Sequence, residues 1–584
     1  MRASYQWPTD TAQHQSNRNS NGNTNSNNNH GKHLSLAPKA TVGSGSQTEQ
    51  DATERAMKWR ILLFTLIAHW GWVQVQCQVE GEQSHSTSVA GMVKLLKVEA
   101  QLIDALKDYA GELEKKLQAV RSGIVSMRQE SKKAQDSMEE YLSNPLNSFS
   151  LIRRMHRDWT LWQMFLEDPV GPAQLDRIQE LREQMPSSTD LEEAVTALDR
   201  IQSTYGLEVA DISRGILDGR QYNVSLNALD TYAMGQTLFD QAKYVAAAGW
   251  LYQALSWLES NRLPVPVEVS KGEVQAVYAE TLLKLDRHAD ALKVVNIALG
   301  GDKRHDIKLL LKKSEIETLI RTGPNSIGIA PTLKSTAQPL GEYERGCRGL
   351  FPSPSKDGRL HCVYNSTNSA FLRLAPLKME LVGLDPYMVL YHDVISAPEI
   401  SQLQDMATPG LKRATVYKAS GRRSEVVKTR TSKVAWFPDT FNELTERLNR
   451  RIADMTNFDL LGSEMLQAMN YGLGGHYDKH YDFFNASTAT NLTQMNGDRI
   501  ATVLFYLTDV EQGGATVFPN IRKAVFPQRG SAIIWYNLKD DGDPNPQTLH
   551  AACPVLVGSK WVCNKWIRER AQLFKRPCLK RGSD

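Results

Sequence analysis

The sequence predicts a multidomain chain with an all-α N-terminal half, made of one long helix and tetratricopeptide-like helical repeats, and a C-terminal antiparallel jelly roll (double-stranded β-helix). Three observations carry this. At 584 residues the chain is too long for one ordinary core. Between Met92 and about Gln135, apolar residues recur every seven positions without a proline. Beyond residue 340 the pattern turns to short β-branched and aromatic runs separated by Gly, Pro and Asp. Charge adds little: 68 Lys and Arg against 65 Asp and Glu leave no field that would draw nucleic acid or an acidic membrane.

Residues 1–56 form an Asn/Ser-rich tail with almost no large apolar side chain, too little to offset the entropy of ordering, so disorder is expected. Residues 57–77 read as a signal peptide: Met57-Lys58-Trp59-Arg60 supplies the charged start, Ile61 to Val75 the apolar core, and cleavage falls near Cys77. This makes Met57 as well as Met1 a candidate start. The alternative, a membrane anchor, needs roughly 20 apolar residues, and this run is shorter and holds His69 and Gln74. Secretory entry permits disulfides, and the spacing is compatible with Cys347–Cys362 and Cys553–Cys578, leaving Cys563 over. Sequons at Asn223, Asn365, Asn485 and Asn491 are compatible with a luminal glycoprotein.

Residues 92–220 read as a helical, coiled-coil dimerisation region. Leu106, Leu113, Val120 and Met127 make one seven-residue row and Leu95, Leu102 and Tyr109 a second. Packing within one chain and self-association both fit such a seam. Trp159, Trp162, Phe165 and Leu175 are the expected core of the amphipathic stretch that follows. In residues 221–320 small residues recur at offsets of 12 and 7: Gly235, Ala247 and Ala254, then Ala279, Ala291 and Ala298. These are the close-approach positions of tetratricopeptide-like units, here expected to bind a peptide substrate. Tyr232 and Phe239 are placed to receive an extended proline-rich peptide or to be ordinary core rings; both readings stay open. A Pro/Ser-rich linker spans 321–340.

Residues 341–584 hold the chemistry. In an extended segment residues two apart share a face, so His480 and Asp482 can offer a nitrogen and an oxygen to one ion. A second imidazole from another strand would complete the facial triad of non-heme Fe(II) oxygenases, and His550 is the only later histidine. His476 and Asp478 have the same spacing, and spacing alone cannot choose. Lys560 lies in an apolar strand, where a buried charge demands a carboxylate partner. A bound 2-oxo diacid would supply one.

Residues 465–578 resemble the collagen prolyl 4-hydroxylase α-subunit family through YGLGGHYDKHYDF, DRIATVLFYLTDVEQGGATVFP, GSAIIWYNL and HAACPVLVGSKWVCNKWIRER with RPC. Asn144 to Phe149 and Arg200 to Gly215 extend the likeness upstream, from Met92 to Cys578 in all. The resemblance implies a procollagen-proline 4-dioxygenase that hydroxylates X-Pro-Gly repeats with O2 and 2-oxoglutarate, releasing succinate and CO2. It assigns Fe(2+) to His480, Asp482 and His550, and 2-oxoglutarate to Lys560 with Tyr471 and Thr516. Peptide contacts fall on Tyr477, Arg499 and Trp566, and L-ascorbate is implied as the reductant that rescues oxidised iron. The family's two disulfides fall on Cys347–Cys362 and Cys553–Cys578. Implied too are an α2β2 assembly with protein disulfide isomerase, an α–α dimer through the N-terminal helix, and the endoplasmic reticulum lumen. His476, Lys479 and Cys563 depart from the family's usual Gln, Pro and Ser.

Overall fold

Ser88 opens the first helix of the described residues, α1 (Val89–Lys132), its Oγ accepting from the Gly91 amide at 3.0 Å. The computed structural model describes residues 85–260, 269–300, 306–322, 340–352, 358–417, 424–426, 429–484 and 495–576. The expected tail, the signal peptide, most of the linker, Asn485, Asn491 and Cys578 lie outside them. No helix among the described residues is long and apolar enough to cross a membrane.

The two heptad rows of α1 have different fates. Leu95, Leu102 and Tyr109 are half-buried, on the side where helix Pro172–Arg182 packs and Tyr109 meets Gly171. Of the other row Leu106 and Leu113 face solvent, with Ile103, Leu117 and Ile124 beside them, while Val120 and Met127 are half-buried. The expected core of 147–220 is corrected here: Trp159, Phe165 and Leu175 are exposed and Trp162 half-buried. Trp162 closes on Gly123 of α1, and no second layer of the described residues covers Met138, Leu142, Phe149, Ile152 and Trp159.

Helix α2 (Ser188–Tyr205) starts in a reciprocal capping box of Ser187 and Asp190 and stops at Gly206, whose φ of 67° suits a residue without Cβ. Then come α3 (Ala228–Asp240), α4 (Tyr244–Ser260), α5 (Lys271–Lys284), α6 (His288–Gly300) and α7 (Ile307–Thr322), each packed on the next. The small residues sit at the contacts: a Cβ on Gly235 would come within 2.6 Å of Leu251, and Ala247, Ala254, Ala279, Ala291 and Ala298 are fully buried.

The C-terminal region is two facing sheets. A nine-stranded sheet runs in the order β1 (Cys362–Asn365), β2 (Leu377–Leu384), β3 (Tyr387–His392), β11 (Ala532–Tyr536), β8 (Arg499–Tyr506), β14 (Lys560–Arg568), β6 (Leu466–Tyr471), β5 (Lys433–Phe437) and β4 (Lys412–Arg413). A four-stranded sheet is ordered β7 (Tyr477–His480), β12 (His550–Ala552), β9 (Thr516–Phe518) and β10 (Lys523–Val525), and the short β13 (Val555–Val557) pairs with Gln512–Gly513. Every paired neighbour is antiparallel. Strand alternation gives the large sheet two apolar faces. Val503, Phe505, Ala468 and Ile567 pack against helices Ala397–Ala407 and Glu443–Thr456. Leu504, Tyr506, Met469, Tyr471 and Val562 face Phe518 and Val525 of the small sheet.

Two further expectations are corrected. The disulfide joins Cys347 to Cys553, while Cys362 is an exposed free thiol. The short helix Glu342–Cys347 docks behind the small sheet, burying Cys347 with Ala515, Val517, Ala551 and Cys553, whereas Cys362 lies on the edge strand β1. Asn365 is only 5% exposed and its Nδ2 donates to the Tyr391 hydroxyl at 2.7 Å, so that nitrogen has no room for a glycan. Asn223 is exposed.

Candidate metal and cosubstrate site

Strands β7 and β12 pair with His480 opposite His550, which brings two imidazoles from distant sequence to one place. Asp482 lies just past β7. His480, Asp482 and His550 are the one group of three or more His, Cys, Asp or Glu side chains among the described residues that could hold an ion, their ligand atoms within 4.8 Å of one another. His480 Nε2 stands 3.7 Å from Asp482 Oδ1, and His550 Nε2 3.6 Å from Oδ2. The far nitrogens fix the tautomers. His480 Nδ1 meets the Asp478 carbonyl at 2.7 Å and His550 Nδ1 the Thr548 carbonyl at 2.9 Å. A carbonyl only accepts, so each Nδ1 carries the proton and each Nε2 keeps its lone pair for a ligand.

The carboxylate is oriented in the same way. Thr502 Oγ1 donates to Asp482 Oδ2 at 2.7 Å, and Asn537 Nδ2 donates to Thr502 at 2.9 Å. Burial would raise the Asp482 pKa, but His550, His480, Arg499 and the Thr502 bond outweigh it and hold it low. Burial, aided by His550, pushes His480 down to about 3, so the imidazole is neutral as a ligand must be.

The alternative triplet is used up by the chain itself. His476 Nε2 lies 3.2 Å from Asp478 Oδ1, which only accepts, so Nε2 carries the proton and Nδ1 accepts from Thr431 Oγ1 at 2.8 Å, while that oxygen accepts from the His476 amide at 3.1 Å. Both nitrogens of His476 are engaged, and Asp478 is half exposed, away from the cluster of three.

The cavity beside the three residues lies between the sheets, lined by Tyr471, Tyr477, Thr516, Leu504, Trp535, Lys560, Val562 and Trp566 among others. Lys560 is 1% exposed; its Nζ donates to the Gly514 carbonyl at 2.6 Å and lies 5.1 Å from the Tyr471 ring centre. No carboxylate faces it among the described residues, and burial alone lowers it to about 7. A dicarboxylate with one end at the three ligands would meet this ammonium with the other, so the donor set suits Fe(II) with 2-oxoglutarate.

Of the expected peptide residues, Tyr477 and Trp566 line the cavity. Tyr477 stacks on His480 at 3.6 Å. Arg499 is not at the wall: it clamps Glu464 with Nε and Nη2, donates to the Asp482 carbonyl and lies 3.8 Å over Trp566. Tyr232 and Phe239 are half-buried in the α3–α7 core, remote in sequence from this cavity's lining. Sequence reasoning missed Arg430, Thr502 and Asn564. Thr502 shares a face with Leu504 and Tyr506, a signal available from alternation; Arg430 precedes β5 in a segment without pattern.

Residues 88–219 match the family described as prolyl 4-hydroxylase alpha-subunit, N-terminal region, and residues 466–568 match the 2OG-Fe(II) oxygenase superfamily. Prolyl 4-hydroxylase subunit alpha-1 of Mus musculus is 34% identical over 512 residues, covering 84% of this chain and 95% of that one. Subunit alpha-2 of Caenorhabditis elegans is 34% identical over 505 residues, covering 84% and 93%. Subunit alpha-2 of Gallus gallus is 34% identical over 544 residues, covering 89% and 98%. With two thirds and more of the chain so matched, and with a buried His-Asp-His cluster facing an unpaired lysine, this protein belongs to the prolyl 4-hydroxylase α-subunit family.

Proposed function

We propose that this chain is the catalytic subunit of a luminal prolyl 4-hydroxylase acting on proline in collagen-like X-Pro-Gly repeats. The observation that carries the reading is the pairing of three convergent ligands with a buried lysine that lacks a carboxylate. His480, Asp482 and His550 would hold Fe(II), and Lys560, with Tyr471 and Thr516, the far carboxylate of 2-oxoglutarate. Bound there, iron with 2-oxoglutarate and O2 supplies the oxidising power: one oxygen atom goes to proline C4 and the other to succinate, with release of CO2.

The chain's own residues position and exclude. Asp478 and Thr548 carbonyls keep both imidazoles in the ligating tautomer. Thr502 holds the Asp482 carboxylate in one orientation. Leu504, Val562 and Trp535 keep water from the cavity. On one wall, Arg430 Nε, Asn564 Oδ1 and Trp566 Nε1 are buried without a partner among the described residues, two donors and one acceptor of the kind that a peptide backbone satisfies. Tyr477 and Trp566 offer rings to the proline, with Arg499 fixing Trp566.

The helical repeats α3–α7, with Tyr232 and Phe239, are read as a separate tetratricopeptide-like peptide-capture unit. The exposed apolar side chains of α1, Leu106 and Leu113 among them, support an α–α dimer, and the relatives' naming as α subunits supports a β partner, proposed to be protein disulfide isomerase. Signal peptide, glycosylation at Asn223 and use of L-ascorbate belong to the same reading. The test is peptide-dependent 2-oxoglutarate decarboxylation by wild type, His480→Ala, His476→Ala and Lys560→Ala, using (Pro-Pro-Gly) repeats and other proline-rich peptides. Loss in the first and third variants with retention in the second is expected. Equal turnover of unrelated proline-rich peptides would overturn the collagen assignment.

A further inference from the structure

The loop between β6 and β7, Gly472-Leu473-Gly474-Gly475, joins the strand that carries Tyr471 to the strand that carries His480. Three glycines in four residues give it much conformational freedom to lose. What removes that freedom comes largely from the N-terminal region. The Gly472 amide donates to the Thr87 carbonyl and the Leu473 amide to the Ser86 carbonyl, both at 3.1 Å. The approach is so close that a Cβ on Gly472 would lie 2.2 Å from the Ser86 oxygen. Helix α2 holds the next residue: Arg200 Nη1 donates to the Gly474 carbonyl at 3.0 Å, and a Cβ on Gly474 would lie 2.7 Å from the Ala197 oxygen.

The two anchors are tied together. The His85 amide donates to Asp190 Oδ1 at 2.7 Å, and Asp190 is the carboxylate that caps α2. Two residues beyond the loop's second anchor, His476 is fixed by Thr431, and Gly475 accepts from the Val555 amide at 3.2 Å. Tyr205, at the other end of α2, donates to the Pro554 carbonyl at 2.6 Å, just past the strand of His550. Both ligand strands are therefore backed by one helix that lies outside the catalytic fold.

We propose that the strap His85–Ser88 and helix α2, acting through Arg200, are positioning elements of the metal and cosubstrate site. They set the Gly472–Gly475 loop and with it the placing of Tyr471 and His480. The N-terminal region is then part of the catalytic centre and not only a device for assembly or peptide capture. This rests on the reading of His480, Asp482 and His550 as the metal site.

The test uses the full chain without its leader, purified with its assembly partner, and Mn(II) as a redox-inert probe in equilibrium dialysis. Arg200→Met and a chain beginning at Val89 are each expected to raise the Mn(II) dissociation constant and the KM for 2-oxoglutarate about ten- to hundredfold, the range for groups that support ligands from behind. The KM for peptide stays unchanged, and Arg200→Lys, which can still donate to Gly474, restores most of the loss. Gly472→Ala harms the full chain but adds nothing to the chain beginning at Val89, because the clash partners Ser86, Thr87 and Ser88 have gone. Amide exchange at Gly472 and Leu473 speeds up on removal of the strap.

Unchanged Mn(II) affinity in both variants would overturn the proposal, as would unchanged exchange at those two amides. A fall in peptide affinity and unfolding temperature equal to the fall in metal affinity would mean general destabilisation and also overturn it. His480→Ala separates the two claims: if it leaves Mn(II) binding intact, the metal site itself is misassigned.

Discussion

His476-Tyr-Asp478 and His480-Tyr-Asp482 have the same spacing four residues apart, and the fold treats them in opposite ways. Thr431 and Asp478 occupy both nitrogens of His476, while His480 has one nitrogen held by a carbonyl and the other aimed at Asp482 and His550. The same contrast recurs on strand β14. Lys565, on the helix-facing side, is fully buried but bonded to Asp439 at 2.6 Å; Lys560, on the cavity side, is buried and among the described residues bonds only to a carbonyl. Burial alone does not mark a functional group. Burial with a valence that the chain leaves unfilled does.

The sharpest way to break this comparison is at the histidines. His480→Ala is expected to lower peptide hydroxylation by more than about a thousandfold, because the oxidising chemistry depends on a held ion; activity within a few fold of wild type would reverse the assignment. Lys560→Met is expected to raise the KM for 2-oxoglutarate about a hundredfold or more, the loss of a buried charged contact. In the cosubstrate-free protein the same change raises the unfolding temperature at pH 7, since an uncompensated buried amine disappears.

The lysine also gives a pH signature. Without cosubstrate its folded-state pKa is lowered to about 7 from 10.5, and a bound carboxylate favours the protonated form and raises it. Below pH 7 the amine is already charged and contributes no slope. Above it, binding must take up a proton, so affinity for 2-oxoglutarate falls as pH rises, by at most about tenfold per unit. The check is binding measured by competition between pH 6 and 9; a flat wild-type profile, or a slope that survives in Lys560→Met, would exclude Lys560 as its source. For stability the sign is separate: between 7 and 10.5 the unfolded chain binds the extra proton, so this lysine's contribution improves with rising pH and its penalty is full below 7.

Smaller effects close the series. Lys565→Met removes the partner of a part-exposed Asp439, which water can solvate; a stability change of about 1 kcal/mol and no change in KM for 2-oxoglutarate are expected. His476→Gln, measured by turnover, should change activity less than about threefold, since an amide can still bond to Thr431 and the residue touches no ligand atom.

Much of this was legible in the sequence because it followed from periodicity. The α1 helix, the short strands and the alternation that pairs His480 with Asp482 rest on repeats of 3.6 or 2, whereas Thr502 was missed although alternation sets it on one face with Leu504 and Tyr506. The choice between the two HxD triplets did not, because it depends on Thr431, 45 residues before His476 in the chain. Trp159, Phe165 and Leu175 were misplaced in a core because amphipathic periodicity says which face is apolar and not whether anything covers it. Cysteine spacing likewise favours near neighbours in sequence, whereas Cys347 and Cys553 meet 206 residues apart through the docking of a short helix. The role of Arg200 as a donor to Gly474 carries no local signal at all.

Leu106, Leu113, Phe149, Ile152, Trp159 and Leu161 all face water on the described chain. To the folding machinery of a cell, such a flank is indistinguishable from a chain that has not finished folding. Abundance is then set by the supply of whatever surface covers those side chains, and surplus copies are retained by chaperones or degraded. Raising expression of this chain alone is expected to increase its turnover with no rise in the soluble, active pool.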